Sequence, residues 1–365
     1  MFDEQLKYKV GITLIEGIGD MRAKKLIAYC GGAEAVFKEK KSALQKIPDI
    51  GKALAEVVVA QDVLSQAEEE IEFIEKNSIT PLFYLDKGYP IRLKHCDDSP
   101  VMLYAKGNMN LNAEKVVSIV GTRNATNYGK KICEKLVEEL ARHNVLIISG
   151  LAYGIDILSH KAALKNNLQT VAVLGHGLDK IYPQQHRSTS AKMLGNGGLV
   201  TDFLPNTKPD RENFPKRNRI VAGLADAVIV IESAASGGSL ITAEIANSYN
   251  RDVFAVPGKI GDNYSEGCNW LIKINKAALL ESAKDIQYLM GWEKQGKKSV
   301  QKKLFVDLNS EEELLVKLLK QNGEIPIDRI CLQTDMPMSK TSSVLLKLEF
   351  KGVVRSLPGK VYALN

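Results

Sequence analysis

The sequence predicts an α/β protein: a Rossmann-like, doubly wound parallel sheet between an N-terminal helical (helix–hairpin–helix or SAM-like) unit and a C-terminal winged helix. Three observations predict it. Five short apolar runs, at 116–121, 145–150, 170–175, 227–233 and 253–258, each end in a Gly- or Ser-rich turn and alternate with helical patterns. Continuous Val/Ile/Leu strands alternating with helices indicate a parallel sheet covered on both faces. Residues 14–26 (LIEGIGDMRAKKL) and 47–59 (IPDIGKALAEVVV) repeat an apolar–x–x–Ile–Gly turn before a helix. Residues 309–365 read as three helices followed by a hairpin.

Residues 1–75 form the first unit. In a helix–hairpin–helix the exposed hairpin amides and the next helix N-terminus bind one DNA phosphate. A small bundle using the same turns for packing fits equally, and Asp49 in the second hairpin would repel a phosphate. Residues 76–114 connect this unit to the core and should supply edge strands. The core at 76–290 carries predicted helices at 127–143, 155–165, 217–224 and 239–249. It turns loop-rich after Pro257 and closes with 271–280 and 283–290. Residues 291–308 read as a lysine-rich tether. In 309–365, Ser310 should cap the first helix, 327–334 and 339–351 make the next two, and the chain turns back at Pro358–Gly359. The third helix normally enters the DNA major groove. Here it offers Lys340, Thr341, Ser342, Ser343 and Lys347, enough for either DNA or protein contact.

The chain has 365 residues, 45% hydrophobic and 25% charged, with a net charge of +6. That charge is compatible with a polyanion, but its distribution matters more. The N-terminus lacks a signal-peptide core, and no apolar run reaches the ~18 residues of a membrane helix, so a cytoplasmic location is expected. Five scattered cysteines without a CxxC pair argue against a zinc site or disulfide framework.

In a parallel sheet all strand-to-helix turns share the carboxyl edge, where ligands bind. Turns far apart in sequence should therefore meet there. Gly121, Thr122 and Arg123 precede a helix containing Tyr128, Gly129 and Lys130. Turn amides favour an anion there, and Arg123 adds a bidentate clamp. Gly150 and Gly154 would allow close backbone approach, with Asp156 buttressing the turn and His160 on the helix surface. His176 would line the crevice. Phe214, Lys216, Arg217, Asn218 and Arg219 form the most charged point of the core and suit a phosphodiester chain; Arg219 could instead pair with an acid such as Glu232. Ser236, Gly237, Gly238 and Ser239 add hydroxyls and amides. The first turn is not GxGxxG, no acid ends the second strand, and Gly129-Lys130-Lys131 is not a Walker motif. No nicotinamide, ATP or metal cofactor is expected.

SIVGTRNATNYG, ISGLAYGID, LGHGLDKIYP, FPKRNRIVAGLAD, SGGSLITAEIA and VFAVPG, in that order, resemble the DNA-processing protein A family, also called DprA or Smf. The resemblance implies a non-enzymatic single-stranded DNA binder of natural transformation. Such proteins protect incoming DNA, help load the RecA recombinase and commonly dimerise through the Rossmann-like core. The loop NATNYG lacks the prolines often found after the Arg. Two other readings stay open. One is a Rossmann-like enzyme hydrolysing nucleoside monophosphates, with ASGGSLITAE and Glu244 standing where such enzymes carry a glycine loop and a Glu. The other is a protein adaptor.

Overall fold

The computed structural model describes residues 4–292 and 308–365. Six helices come first: α1 (Glu4–Leu14), α2 (Asp20–Cys30), α3 (Ala33–Lys38), α4 (Lys41–Leu44), α5 (Lys52–Ala60) and α6 (Leu64–Lys76). The repeated hairpins precede α2 and α5 and lie side by side, for a Cβ at Gly17 would stand 3.3 Å from Leu54. Asp49 is neutralised by Lys25, which holds its carboxyl below the usual range. Asp20, at the head of α2, accepts from the Val101 amide at 2.8 Å and so fastens the first hairpin to the sheet.

The sheet begins with β1 (Thr80–Phe83), α7 (Ile91–Lys94) and β2 (Met102–Asn108), and β1 pairs antiparallel with β2. The connecting segment therefore supplies the edge strand β1, as expected, and also the interior strand β2 between β1 and β6. Next come β3 (Val116–Gly121), α8 (Asn127–Ala141), β4 (Leu146–Ser149), α9 (Ile155–Lys165), β5 (Thr170–Val173), α10 (Arg187–Met193) and β6 (Gly197–Thr201). The second half is α11 (Asn213–Gly223), β7 (Ala227–Ile231), α12 (Gly238–Ser248), β8 (Asp252–Ala255), α13 (Glu266–Lys273), β9 (Ala278–Leu279) and α14 (Ala283–Leu289). The order across the sheet is β1-β2-β6-β5-β4-β3-β7-β8-β9. From β6 to β9 every neighbouring pair is parallel.

The period-2 alternation of strand side chains explains the unbroken apolar runs. Val117, Ile119 and Ile147 face one layer with Leu136 of α8 and Ala163 of α9. Val116, Val120 and Ile148 face the other with Ile220 of α11 and Ala243 of α12.

Some expectations about the core need correction. β6 is a strand outside the five apolar runs, since its Gly197-Gly198 pair is a weak strand signal. A Cβ there would fall 2.0 Å from the Thr170 carbonyl and 2.2 Å from that of Lys106, so the glycines let β6 fit between β5 and β2. Helix α11 starts four residues before 217, since proline is tolerated in a first turn. His160 is not on the surface but fully buried, its Nδ1 2.7 Å from the Thr170 hydroxyl, which itself donates to the Ile147 carbonyl.

The last unit is α15 (Ser310–Asn322), β10 (Ile325–Pro326), α16 (Ile327–Thr334), α17 (Met338–Phe350), β11 (Val354–Leu357) and β12 (Val361–Leu364) around Leu315, Ile330 and Leu345. Its first helix is capped by Asn309 rather than Ser310, in a capping box with Glu312. On α17, Thr341 is buried and Lys340 pairs with Glu311. Residues 293–307 of the predicted tether lie outside the described residues.

Candidate nucleic-acid interface

The strand order reverses between β3 and β7: the chain moves outward through β4, β5 and β6 on one side, and through β8 and β9 on the other. Crevices form at such switch points. The carboxyl ends of β3, β4, β5 and β7 do bring the predicted turns together. The Thr122 amide donates to the Glu232 carbonyl at 2.8 Å, and the Ile155 amide donates to the Thr122 carbonyl at 3.1 Å. Gly154, with φ 74 and ψ −126, sits where a Cβ would lie 2.1 Å from that carbonyl. Only glycine fits this contact between the two turns.

Several predicted ligand groups are occupied by the protein itself. Thr126 caps α8 by accepting from the Tyr128 and Gly129 amides, and Glu232 accepts in turn from the Thr126 amide at 2.9 Å and from its hydroxyl. Gly129 is buried against the Glu232 carboxylate, leaving no space for a ligand at that position. The helix N-terminus is thus closed from within. His176 is buried, not a crevice wall. Its Nδ1 lies 2.8 Å from the Gly177 carbonyl and its Nε2 accepts from the Tyr182 amide at 3.3 Å. Burial lowers its pKa, which suits this neutral brace. Ser239 is buried with its hydroxyl donating to Ser233 at 2.8 Å, and Gly237 donates its amide to the Ala234 carbonyl. Ser236 and Gly238 remain exposed at that turn, as do Lys130 and the ring of Tyr128 on α8.

Arg219 is the largest correction. Its guanidinium bonds Asp202 at 2.7 Å, Asp20 at 2.9 Å and the Asp98 carbonyl. It is structural, but its partners come from the helical unit and the end of β6, not from Glu232. Those acids raise its pKa against the lowering effect of burial.

What remains open converges on the β3–β4–β5 side. Arg217 is 4% exposed and fills the space left by Gly150, where a Cβ would fall 1.6 Å from Nη1. Among the described residues its Nε has no hydrogen-bond partner. Burial lowers its pKa, Asp156 opposes that, and the nearby Arg123 adds to it. Asp156 is itself buried, accepting from the Gly150 and Ala152 amides at 3.2 and 3.3 Å, so it buttresses the turn as expected. Burial pushes its carboxyl up and Arg217 is the first influence pulling it down. Arg217 thus feels one carboxylate and a second, like-charged guanidinium. Arg123 is exposed, 5.5 Å from the Phe214 ring centroid. Phe214 covers Gly175, Lys216 is exposed, and Asn218 is half-buried on the same helix. Sequence reasoning missed Tyr182, whose ring stands 6.2 Å from Phe214. The signal was an aromatic in the loop directly after a strand-end turn.

A cavity of about 720 Å³ lies on the other side, lined by Tyr128, Glu232 and the 257–265 loop. Glu244, the carboxylate of the nucleotide-hydrolase reading, is exposed on α12 and does not line it.

Sheet, switch point and the neighbouring Arg123 and Arg217 define a Rossmann-like protein with a basic crevice and no dinucleotide fingerprint, joined to a winged helix. Residues 80–291 match the family model for DNA recombination-mediator protein A, and 306–360 match the DprA winged helix domain. The chain belongs to the DNA recombination-mediator protein A family. It is 34% identical to protein Smf of Escherichia coli over 317 residues, 81% of this chain and 83% of that one. The X-ray structure of DprA from Streptococcus pneumoniae superposes with a TM-score of 0.66 at 33% identity, covering 77% of this chain and 97% of that one. DprA of Helicobacter pylori, studied for its single-stranded DNA binding mode, gives 0.53 at 28% identity over 59% and 96%.

Proposed function

We propose that this protein binds single-stranded DNA through the β3–β4–β5 side of the crevice, without turning it over, in DNA processing during natural transformation. The observation that carries the reading is Arg217: a buried cation beside a second arginine, its Nε without a hydrogen-bond partner among the described residues. A desolvated guanidinium is costly unless paired, and a phosphate would supply the missing charge. Arg123 and Lys216 would neutralise neighbouring phosphates, while Ser236 and Gly238 offer hydroxyl and amide contacts. Phosphate contacts carry little sequence information, so binding should tolerate any sequence.

Protection of the strand and loading of the RecA recombinase complete the proposed role. A homodimer through the core is supported by Trp270 on α13 and Ile274 at its C-cap, both exposed, next to β9 at the sheet edge with its exposed Leu279. Apolar side chains clustered at an unpaired sheet edge are what an interface between copies would cover.

The test is fluorescence anisotropy of a labelled unstructured strand across a salt series, for wild type and Arg123→Gln/Arg217→Gln. Each phosphate that is no longer neutralised should reduce the slope of log K against log salt by about 0.7. The folded double variant should therefore bind weakly with a flatter slope. Unchanged affinity and slope would remove the crevice as the DNA site.

A further inference from the structure

Asp156 and Arg217 are opposite charges buried against one glycine. Asp156 is 7% exposed and Arg217 is 4% exposed. The Gly150 amide donates to Asp156 Oδ2 at 3.2 Å, while the Gly150 Cα lies against the Arg217 guanidinium. The Ala152 amide donates to the same carboxylate oxygen at 3.3 Å. A neutral carboxyl can therefore keep both bonds through Oδ2 while Oδ1 carries a proton. The turn does not depend on the charge.

Few other charges act on the pair. Arg217 feels Arg123 from the β3 turn. Asp156 faces Ser149 at the end of β4 and Cys133 of α8, with His160 one turn further along α9. His160 in turn feels His186 and Arg217. Burial pushes the Cys133 thiol up to about 12 and the His160 imidazole down to about 3, so neither changes charge near neutrality. Asp156 differs, because burial raises its pKa and Arg217 is the first influence restraining it. A phosphate seated on Arg123 and Arg217 alters that balance. It brings negative charge toward Asp156 and engages the guanidinium that supported the carboxylate. A buried carboxylate that loses its countercharge neutralises rather than staying ionised. A phosphodiester is the stronger acid and keeps its charge, so the proton goes to Asp156.

We infer that Asp156 is the internal counter-ion of Arg217 that a bound phosphate replaces, and that its carboxyl takes up a proton when the strand binds. The inference rests on the phosphate reading above and adds what the ligand displaces. Asp156 is thus a positioning residue, acting through Arg217 rather than on the strand. Binding and protonation are linked. Affinity rises as pH falls through the window where the free carboxyl is ionised and the bound one is not, by at most about tenfold per pH unit for one proton.

The experiment is titration calorimetry of the full chain with oligothymidylate, in buffers of different ionisation enthalpy, from about pH 8 down to about pH 5, where histidines titrate too. Thymine takes no proton there, and the buffer dependence of the heat counts the protons the protein takes up. Wild type should take up a proton on binding, and its affinity should rise as pH falls. Asp156→Asn offers a neutral oxygen to the same two amides and so mimics the protonated carboxyl. It should take up none, lose the pH dependence and bind more tightly than wild type at the upper end of the range. Each unit by which the strand raises the carboxyl pKa corresponds to about tenfold in that difference. A residue that only props the turn would lower affinity and leave the proton count alone. Zero uptake by a wild type that binds tightly would overturn the inference while leaving the phosphate site standing. So would equal uptake in Asp156→Asn, which would assign the proton to a histidine such as His186, or weaker binding by that variant when folded. If the variant does not fold, wild type decides alone. Infrared difference spectra on strand addition should gain a protonated-carboxyl band and lose a carboxylate band, and unchanged bands would overturn the inference. Unchanged affinity in Arg123→Gln/Arg217→Gln, or failure of wild type to bind any strand, would overturn the underlying reading instead.

Discussion

Arg217 and Arg219 are two residues apart in one basic cluster, and the structure predicts that they fail in different ways. Arg219→Met keeps the aliphatic stem and removes the charge between Asp20 and Asp202. Their side chains are 29% and 11% exposed, so the acids left behind differ in how well water can replace the arginine. Removing one partner of a buried ionic network costs about 3–5 kcal/mol. The lower end applies because Asp20 reaches solvent and keeps the Val101 amide, so about 3 kcal/mol is expected, a factor of roughly 150 in the folding equilibrium. Asp202 then dominates the pH dependence. Burial already raises its pKa, and Arg219 is the main influence restraining it. A carboxyl whose folded pKa lies above its unfolded value stabilises the fold below the unfolded pKa and loses that as pH rises through the folded one. The deficit of Arg219→Met should therefore shrink as pH is lowered from 7 toward 4. Adding Asp202→Asn should recover part of it at pH 7. Urea unfolding at the two pH values measures both effects, and anisotropy on the folded variant measures DNA binding. If Arg219→Met keeps wild-type stability and loses DNA affinity, Arg219 is a phosphate ligand and the reasoning is wrong.

Other expectations follow from particular contacts. Burial lowers the pKa of His160 to about 3, from an ordinary value of 6.5. A depressed histidine contributes stability that is complete above the unfolded pKa and is lost as pH falls, about 2 kcal/mol at pH 5. His160→Leu should flatten the thermal-melt profile between pH 6.5 and 4; an unaltered acid limb would assign it to other groups. Gly150→Ala would push its methyl into the Arg217 guanidinium, so DNA affinity should fall well beyond any loss of melting temperature, and wild-type binding would show that Arg217 does not need that place. Trp270→Glu should shift the protein to monomer in sedimentation at micromolar concentration, whereas an unchanged mass would move the dimer contact elsewhere.

Much of the fold could be read from local pattern. A strand buried on both faces needs apolar residues without alternation, so β3, β4, β5, β7 and β8 announced themselves. The winged helix could be read for the same reason: helix periodicity and the Pro358–Gly359 turn are short-range signals. β6 could not, because its glycines answer to crowding by neighbouring strands, which local sequence does not encode. The candidate site divides in the same way. The sequence placed Gly121, Gly150, Arg123 and Arg217 at one edge, since in a parallel sheet the strand ends must meet.

Which of those groups stay free for a ligand is another matter. Gly129, His176, Gly237, Ser239 and Arg219 have the right chemistry, but they face Glu232, the Gly177–Tyr182 loop, Ser233, and the acids of another layer. A donor N–H or O–H spent on a partner across the fold is not available to a ligand. By itself the sequence determined the sheet, its binding edge and the kinds of group gathered there. Only the tertiary structure decided which are spent on partners distant in sequence, such as Arg219 on Asp20. It alone left Arg217 buried beside Arg123 with an unpartnered Nε, because burial and pairing depend on what long-range packing brings alongside.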